Sequence, residues 1–285
     1  MESAADLKTN ALSEKRTFHQ KSQTTLALTD LKDSLKNWRV WFMLAYQDIK
    51  LRYRRSVLGP FWITLSMAIT VYTMGYLYSH LFHSNIMTYF PFLAAGMLSW
   101  ALISSAIIEL TEGFTVSEGL IKQIKLPYSL YIHRIVARNI LIFFHNILVM
   151  VPIIIIFHKT IKINFYTLLL IPGLLVIYLN AFFYGIALAM IGARYRDVSQ
   201  IIRSLVQVTF FVTPVMWDPS ILSPEKRYIA DLNPFYSFIE LIRAPITGAP
   251  PLLFNWIVTG GVTVIGIVFS FALFKRYRSR IVYWL

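Results

Sequence analysis

The side chains able to make or break bonds are few in this chain and poorly placed for catalysis. Its 6 histidines (His19, His80, His83, His133, His145 and His158) are scattered, its acidic residues form no paired constellation, and neither His-Glu-x-x-His nor Gly-x-Ser-x-Gly occurs. It has no cysteine, which excludes disulfides and thiolate metal sites. It also lacks the Gly-x-x-x-x-Gly-Lys-Ser/Thr loop whose backbone amides cradle nucleotide phosphates, so the chain cannot hold ATP in that way by itself. What remains is ion recognition. Arg52, Arg54 and Arg55 crowd one short stretch and suit any anionic group. Glu112, Glu118, Lys122 and Lys125 surround Leu120, Ile121 and Ile124, a mixture that fits docking to another protein and also fits a plain connecting loop. Asp197, in Arg194-Tyr195-Arg196-Asp197, reads as a helix cap and charge partner.

The elements that must position these charges are apolar. Six stretches, at about 61–82, 89–109, 132–157, 165–193, 199–217 and 252–274, each approach or exceed the ~20 residues needed to cross hydrocarbon. A 56% hydrophobic and 14% charged composition with mean hydropathy +0.58 departs from the roughly 25% charge of soluble domains. Alternate connections carry 22 and 5 of the basic residues, which places both termini and the segments around Ile121 and Arg196 in the cytoplasm. The net charge of +13 sits at span ends and tails with no nucleic-acid-binding fold between them, so the expected anionic partner is membrane lipid and not nucleic acid. The expected fold is an all-α membrane protein: six transmembrane helices, an N-terminal amphipathic interface helix, and short outer re-entrant helices between spans five and six.

Residues 1–30 are polar and aperiodic, and disorder is expected there. Over 31–58, Leu35, Trp38, Phe42, Tyr46, Ile49 and Tyr53 recur at three- and four-residue steps, an amphipathic helix suited to the membrane surface or to the face of a soluble partner. Gly59-Pro60 breaks it and opens the six-span region, 59–285. Within that region 111–131 reads as a short cytoplasmic helix, and 218–250, punctuated by Pro219, Pro224, Pro234, Pro245 and Pro250, as a re-entrant outer segment with a helix near 235–246.

No Asp or Glu occupies a span centre, which counts against an ion-coupled carrier, the distant alternative. His145, Asn180 and Gln207 read as hydrogen-bond partners between helices, with a proton relay at His145 the competing role. Two aromatic stripes are notable: Tyr72 and Tyr76 with Ser79 on the first span, and Phe210, Phe211 and Trp217 climbing the fifth with Gln207. Such rings stack on the C–H faces of sugars, but on composition alone helix packing is the favoured account of them.

Three segments carry a resemblance. Arg52-Tyr53-Arg54-Arg55-Ser56-Val57-Leu58-Gly59-Pro60-Phe61-Trp62 resembles the threshold of the permease subunits of type 2 ATP-binding-cassette exporters for polysaccharides and polyol phosphates. Ala193-Arg194-Tyr195-Arg196-Asp197-Val198, followed by Phe211-Val212-Thr213-Pro214-Val215-Met216-Trp217, is similar to that family's fourth-to-fifth-span turn and outer fifth span. Asn233-Pro234-Phe235-Tyr236 with Glu240, Arg243 and Gly248 resembles its outer re-entrant segment. The resemblance implies a half-channel in the bacterial inner membrane that pairs with a second copy of itself and two separate ATPase subunits, which would bind the ATP and Mg; no cofactor is expected in this chain. It implies that Glu112, Glu118, Lys122 and Lys125 couple to the ATPase, that Arg52, Arg54 and Arg55 form a cytoplasmic gate meeting a diphosphate, and that Tyr72, Tyr76, Phe210, Phe211 and Trp217 line the channel. The implied cargo is a lipid-linked glycan, O-antigen on undecaprenyl diphosphate, with capsular polysaccharide or teichoic acid as alternatives.

Overall fold

The computed structural model describes residues 22–285, so most of the expected N-terminal tail lies outside the described residues. Among these, every regular element is helical. In chain order, α1 (Gln23–Lys36) and α2 (Trp38–Arg52) precede α3 (Phe61–Leu81) and α4 (Ile86–Thr111). Two short helices, α5 (Gly113–Val116) and α6 (Glu118–Gln123), lead to α7 (Tyr128–Asn146), which a 3₁₀ turn at Ile147–Val149 joins to α8 (Met150–Ile156). Then come α9 (Leu170–Arg194), α10 (Val198–Val212), α11 (Tyr228–Asp231), α12 (Pro234–Thr247), α13 (Leu253–Tyr277) and the terminal α14 (Ile281–Trp284).

Among the described residues, four stretches are long and apolar enough to cross a membrane: Ile86–Thr111, Tyr128–Ile156, Phe165–Arg194 and Leu253–Trp284. They coincide with the expected second, third, fourth and sixth spans. The other two expected spans differ. α3 has the expected length, 21 residues, but Tyr72, Tyr76, Tyr78, Ser79 and His80 dilute its apolar character. α10 ends at Val212 and not at Trp217, because Pro214 has no amide to donate and holds Thr213 extended, at φ −86° and ψ 137°. Its 15 residues span roughly 22 Å, short of the ~30 Å hydrocarbon core.

The amphipathic region also differs from expectation. It is two helices broken at Asn37, and helix begins at Gln23, inside the stretch expected to be disordered. Tertiary contact explains the early start: Ala27, Asp30 and Ser34, spaced three and four residues apart, are buried, and Asp30 accepts from the Tyr128 and Ser129 amides, capping α7. Of the stripe read from the sequence, Trp38, Phe42 and Tyr46 are exposed and Ile49 is buried; Ala45 is buried beside it, and Trp41 stacks on His133 of α7 at 5.3 Å.

α4 is the central strut, touching α3, α7, α9, α10 and α12, while α9 lies along α13. Small residues permit the close crossings. A Cβ at Gly192 would collide with the Thr111 carbonyl where α9 meets the end of α4. The outer segment holds the expected helix, now α12, whose N-cap Asn233 accepts from Phe235 N at 3.0 Å ahead of Pro234 at the first helical position. It stops at Gly248, left-handed at φ +88°, where a Cβ would collide with the Lys162 carbonyl.

Candidate functional site

The charged end of the bundle, where α2, α4, α7 and the C-terminus meet, is built around Asp48. One helical turn places Asp48 beside Ala45 and Ile49 on the inward face of α2, a position an unpaired carboxylate could not hold. α7 supplies the partners on successive turns. Arg134 is bidentate on Asp48 at 2.8 and 2.6 Å, and Arg138 reaches the same carboxylate at 2.8 Å. The other arm of Arg138 binds Glu109 of α4 at 2.8 Å; Asn139 donates to Glu109 at 2.7 Å and accepts from Ser105 at 2.6 Å. Arg52, at the last position of α2, closes the circuit on Glu109 at 3.3 Å. Asp48, Arg134 and Arg138 have side chains only 12–15% exposed, so three helices are tied by bonds that water screens weakly.

Of the three arginines expected at the gate, only Arg52 enters this circuit. Arg54 and Arg55 are exposed in the turn before α3 and form no ion pair among the described residues. Arg55 adopts φ +73°, a left-handed conformation unfavourable for a side chain with a Cβ. The turn therefore projects two free guanidinium groups beside a third that is already partnered.

The expected coupling segment forms α5 and α6. Glu118 and Lys122 pair at 2.5 Å one turn apart on α6, and Lys122 also donates to the Leu285 carbonyl at 3.1 Å, so the C-terminus packs beneath this loop. Glu112 pairs with Arg203 of α10 at 2.7 Å, and Lys125 is exposed without an ion-pair partner among the described residues. Val116 and Ile124 stand open beside these charges. Sequence reasoning missed the buttress behind them. Asp30, 2% exposed, binds both the N-terminus of α7 and Arg278, thereby fixing α1, α7 and the end of α13 together.

The aromatic stripes separate into two classes. Tyr72 is half-buried, packs on Phe90, and donates to the Val149 carbonyl at 2.9 Å, where α7 slips into its 3₁₀ turn. Phe210 stacks on Trp100 at 5.7 Å. These two pack between helices, whereas Tyr76 and Phe211 are 64% and 65% exposed. Trp217 is half-buried beyond the end of α10 and donates to the Phe211 carbonyl at 3.2 Å. Asn180 bonds Thr263 across helices at 2.6 Å as expected; His145 instead bonds a carbonyl of its own helix, Leu141, and Gln207 is exposed.

At the opposite end, Arg243 of α12 fastens the break after α10. It is 2% exposed, lies 3.9 Å over the Phe92 ring, pairs with Glu240 at 2.9 Å, and donates to the Pro214 and Val215 carbonyls at 2.5 and 3.2 Å. Those carbonyls lie past the end of α10, where no helical turn follows to supply them with amide donors. Asn233 adds a bond to the Thr213 hydroxyl at 2.9 Å. Burial pushes the Glu240 carboxyl above the usual range while the adjoining guanidinium opposes the rise. A cavity of about 330 Å³ opens beside the clasp, bordered by Phe92, Asp218, Tyr236 and Glu240. The resemblance flagged Glu240 and Arg243 without a role; their pairing at i, i+3 is the local signal, but their targets on α10 are remote in sequence.

Comparison with known proteins places the chain in a family. A family model described as ABC-2 type transporter matches residues 39–246, from α2 to the end of α12. Among curated proteins, an O-antigen export system permease protein RfbA from Myxococcus xanthus is 24% identical over 207 residues, covering 70% of this chain and 77% of its own. Two proteins of the same description from Klebsiella pneumoniae are 20% identical over 201 residues (69% and 76% covered) and 21% identical over 246 residues (84% and 92% covered).

Proposed function

Because the chain belongs to the ABC-2 type transporter family, we propose that it is the channel-forming permease of an ATP-driven exporter that moves lipid-linked polysaccharide across the bacterial inner membrane. The cargo in this reading is O-antigen on undecaprenyl diphosphate. The observation that carries it is the similarity to O-antigen export permeases along as much as 84% of the chain. The same similarity leaves capsular polysaccharide and teichoic acid as cargoes of the same machinery.

In this reading both termini are cytoplasmic, α3 and α10 complete six crossings, and α12 re-enters from the outer side. α3 and α10 expose apolar stripes, Trp62, Leu65, Ile69 and Tyr76 on one and Ile201, Leu205, Val208 and Phe211 on the other. A second copy of the chain faces these stripes across the channel and completes it, which lets the short α10 sit in a protein-lined interior. Two ATPase subunits, which hold ATP and Mg, dock on α5 and α6. Their closure pushes on α6 and hence on the end of α4, which carries Glu109 and Glu112.

Arg54 and Arg55 attract the carrier's diphosphate at the cytoplasmic threshold, and the glycan then passes Tyr76 and Phe211. Exposed rings suit a polymer because stacking tolerates many units without gripping any of them, as in sequence-tolerant single-strand binders. Deletion of the gene followed by locating the polymer tests the proposal: undecaprenyl-linked glycan must accumulate on the cytoplasmic face and return to the surface on complementation. Uphill transport by the isolated chain in proteoliposomes under an ion gradient, without an ATPase, would refute it.

A further inference from the structure

Glu109 is shared among three donors that hold it unequally. Its Oε2 accepts from Arg138 at 2.8 Å and from Asn139 at 2.7 Å, whereas Oε1 meets only Arg52, at 3.3 Å. The Arg138 side chain is 12% exposed and its other arm is held by Asp48, so it stays with the circuit. The Arg52 side chain is 47% exposed, and Glu109 is its single ion-pair partner among the described residues. The two short bonds fix the carboxylate, and the long one is the bond an incoming anion can break.

We propose that Glu109 is a positioning residue for the headgroup site: an internal carboxylate that occupies Arg52 until a diphosphate displaces it. This rests on the reading that the Arg52–Arg55 threshold receives the carrier's diphosphate. A diphosphate presents several oxygens and more than one negative charge to the planar fork of a guanidinium, and it therefore outcompetes one carboxylate oxygen at 3.3 Å. When Arg52 changes partners, the end of α2 is released from α4 three residues before Glu112, next to the loop that carries α6. Arrival of the cargo's headgroup is thereby felt where the ATPase docks. Arg54 and Arg55, without internal partners, make the first encounter, and Arg52 completes the site.

The test uses the full chain in phosphatidylcholine nanodiscs, with affinity measured by calorimetric titration of inorganic pyrophosphate and geranylgeranyl diphosphate, and with phosphatidylglycerol doped into a parallel set of discs. Glu109→Gln is expected to tighten both diphosphates by roughly two- to fivefold, the range of a partly exposed ion pair. Arg52→Ala weakens both, and the gain disappears in the Glu109→Gln/Arg52→Ala double variant. Glu109→Asp keeps a charge for Arg138 but retracts the oxygen that reaches Arg52; it must shift affinity in the same direction, and it serves where Glu109→Gln lowers the unfolding midpoint. Unchanged or weaker diphosphate binding in a normally folded Glu109 variant overturns the proposal. So does a gain that survives loss of Arg52, which would assign it to Arg138, or one confined to the phosphatidylglycerol discs. If Arg52→Ala and the Arg54→Ala/Arg55→Ala pair all leave diphosphate binding untouched, it is the threshold reading that fails, an outcome separate from failure of the competition alone.

Discussion

Replacing Asp48 with Asn should detach α2 from the bundle. The substitution keeps the side chain's shape but removes the charge that faces Arg134 and Arg138, whose side chains are 15% and 12% exposed. Removing one partner of a fully buried pair costs about 3–5 kcal/mol because the remaining charge is left uncompensated. Two features of the structure lower that figure here: the site retains some solvent, and Arg138 keeps its 2.8 Å bond to Glu109. Arg134 loses one of its two bonds and the charge it faced, and it has no second acid among the described residues, so about 3 kcal/mol is the expected loss, concentrated on the docking of α2. The readout is amide hydrogen exchange of α2 in the full-length chain in nanodiscs, with α13 as the internal reference. A loss of about 3 kcal/mol in local opening corresponds to roughly a hundredfold faster exchange at Ala45 to Ile49. Truncating both partners, Asp48→Ala with Arg134→Ala, should recover part of the loss, because no buried charge is then stranded. Exchange in Asp48→Asn within a few-fold of wild type would refute the claim that this circuit holds the helix, and would leave the Trp41–His133 stack and Ile49 as its main anchors.

Other expectations separate packing from function. Phe210→Ala, which removes a ring stacked on Trp100, should cost about 2–3 kcal/mol because the site is only partly buried, visible as a lower midpoint by tryptophan fluorescence. Phe211→Ala, at a 65% exposed position, should leave the midpoint unchanged within about 0.5 kcal/mol while slowing polymer export in cells. Gly96→Ala would set a methyl 2.5 Å from the Arg243 guanidinium and 2.6 Å from the Val215 carbonyl, disrupting the outer clasp at a cost of about 1–3 kcal/mol in the same melting assay. Glu118→Arg reverses a surface charge on α6 and breaks an exposed pair worth at most ~1 kcal/mol; membrane insertion should be intact and co-purification with the ATPase reduced, whereas normal pairing would remove α6 from the docking surface.

The parts of this fold that could be read from the sequence are those with local causes. Four of the expected spans match their apolar runs closely, and the helix in the outer segment follows from Asn233-Pro234 at its start and Gly248 at its end. One misreading has a non-local cause and the other a local signal that hydropathy hides. Nothing near Gln23 announces a helix; it forms because Asp30 finds the free amides of Tyr128 and Ser129, nearly a hundred residues away. The break at Pro214 was present in the sequence as Thr-Pro, yet the flanking apolar residues extended the apparent span to Trp217, since hydropathy does not register a missing backbone donor.

The site was harder to read than the fold, for a reason visible in α2. An amphipathic stripe shows which residues avoid water but not whether lipid or protein receives them. Trp38, Phe42 and Tyr46 read as the side suited to a membrane surface or a partner and are exposed, while the helix is anchored on the side bearing Asp48. In water that placement would be improbable; beside hydrocarbon it is favourable, because apolar contact is available on every side and only a paired charge selects a unique partner. The same logic applies at the far end, where Arg243 satisfies the Pro214 and Val215 carbonyls beyond the end of α10. Both fastenings bind elements flanking α4 across one strong multi-bond contact, so each can hold a helix in one position or release it with few intermediate states. In the proposed exporter, opening for a long polymer without loss of the fold requires that kind of joint, and Asp48, Glu109 and Arg243, more than the exposed aromatic rings, fix where the joints lie.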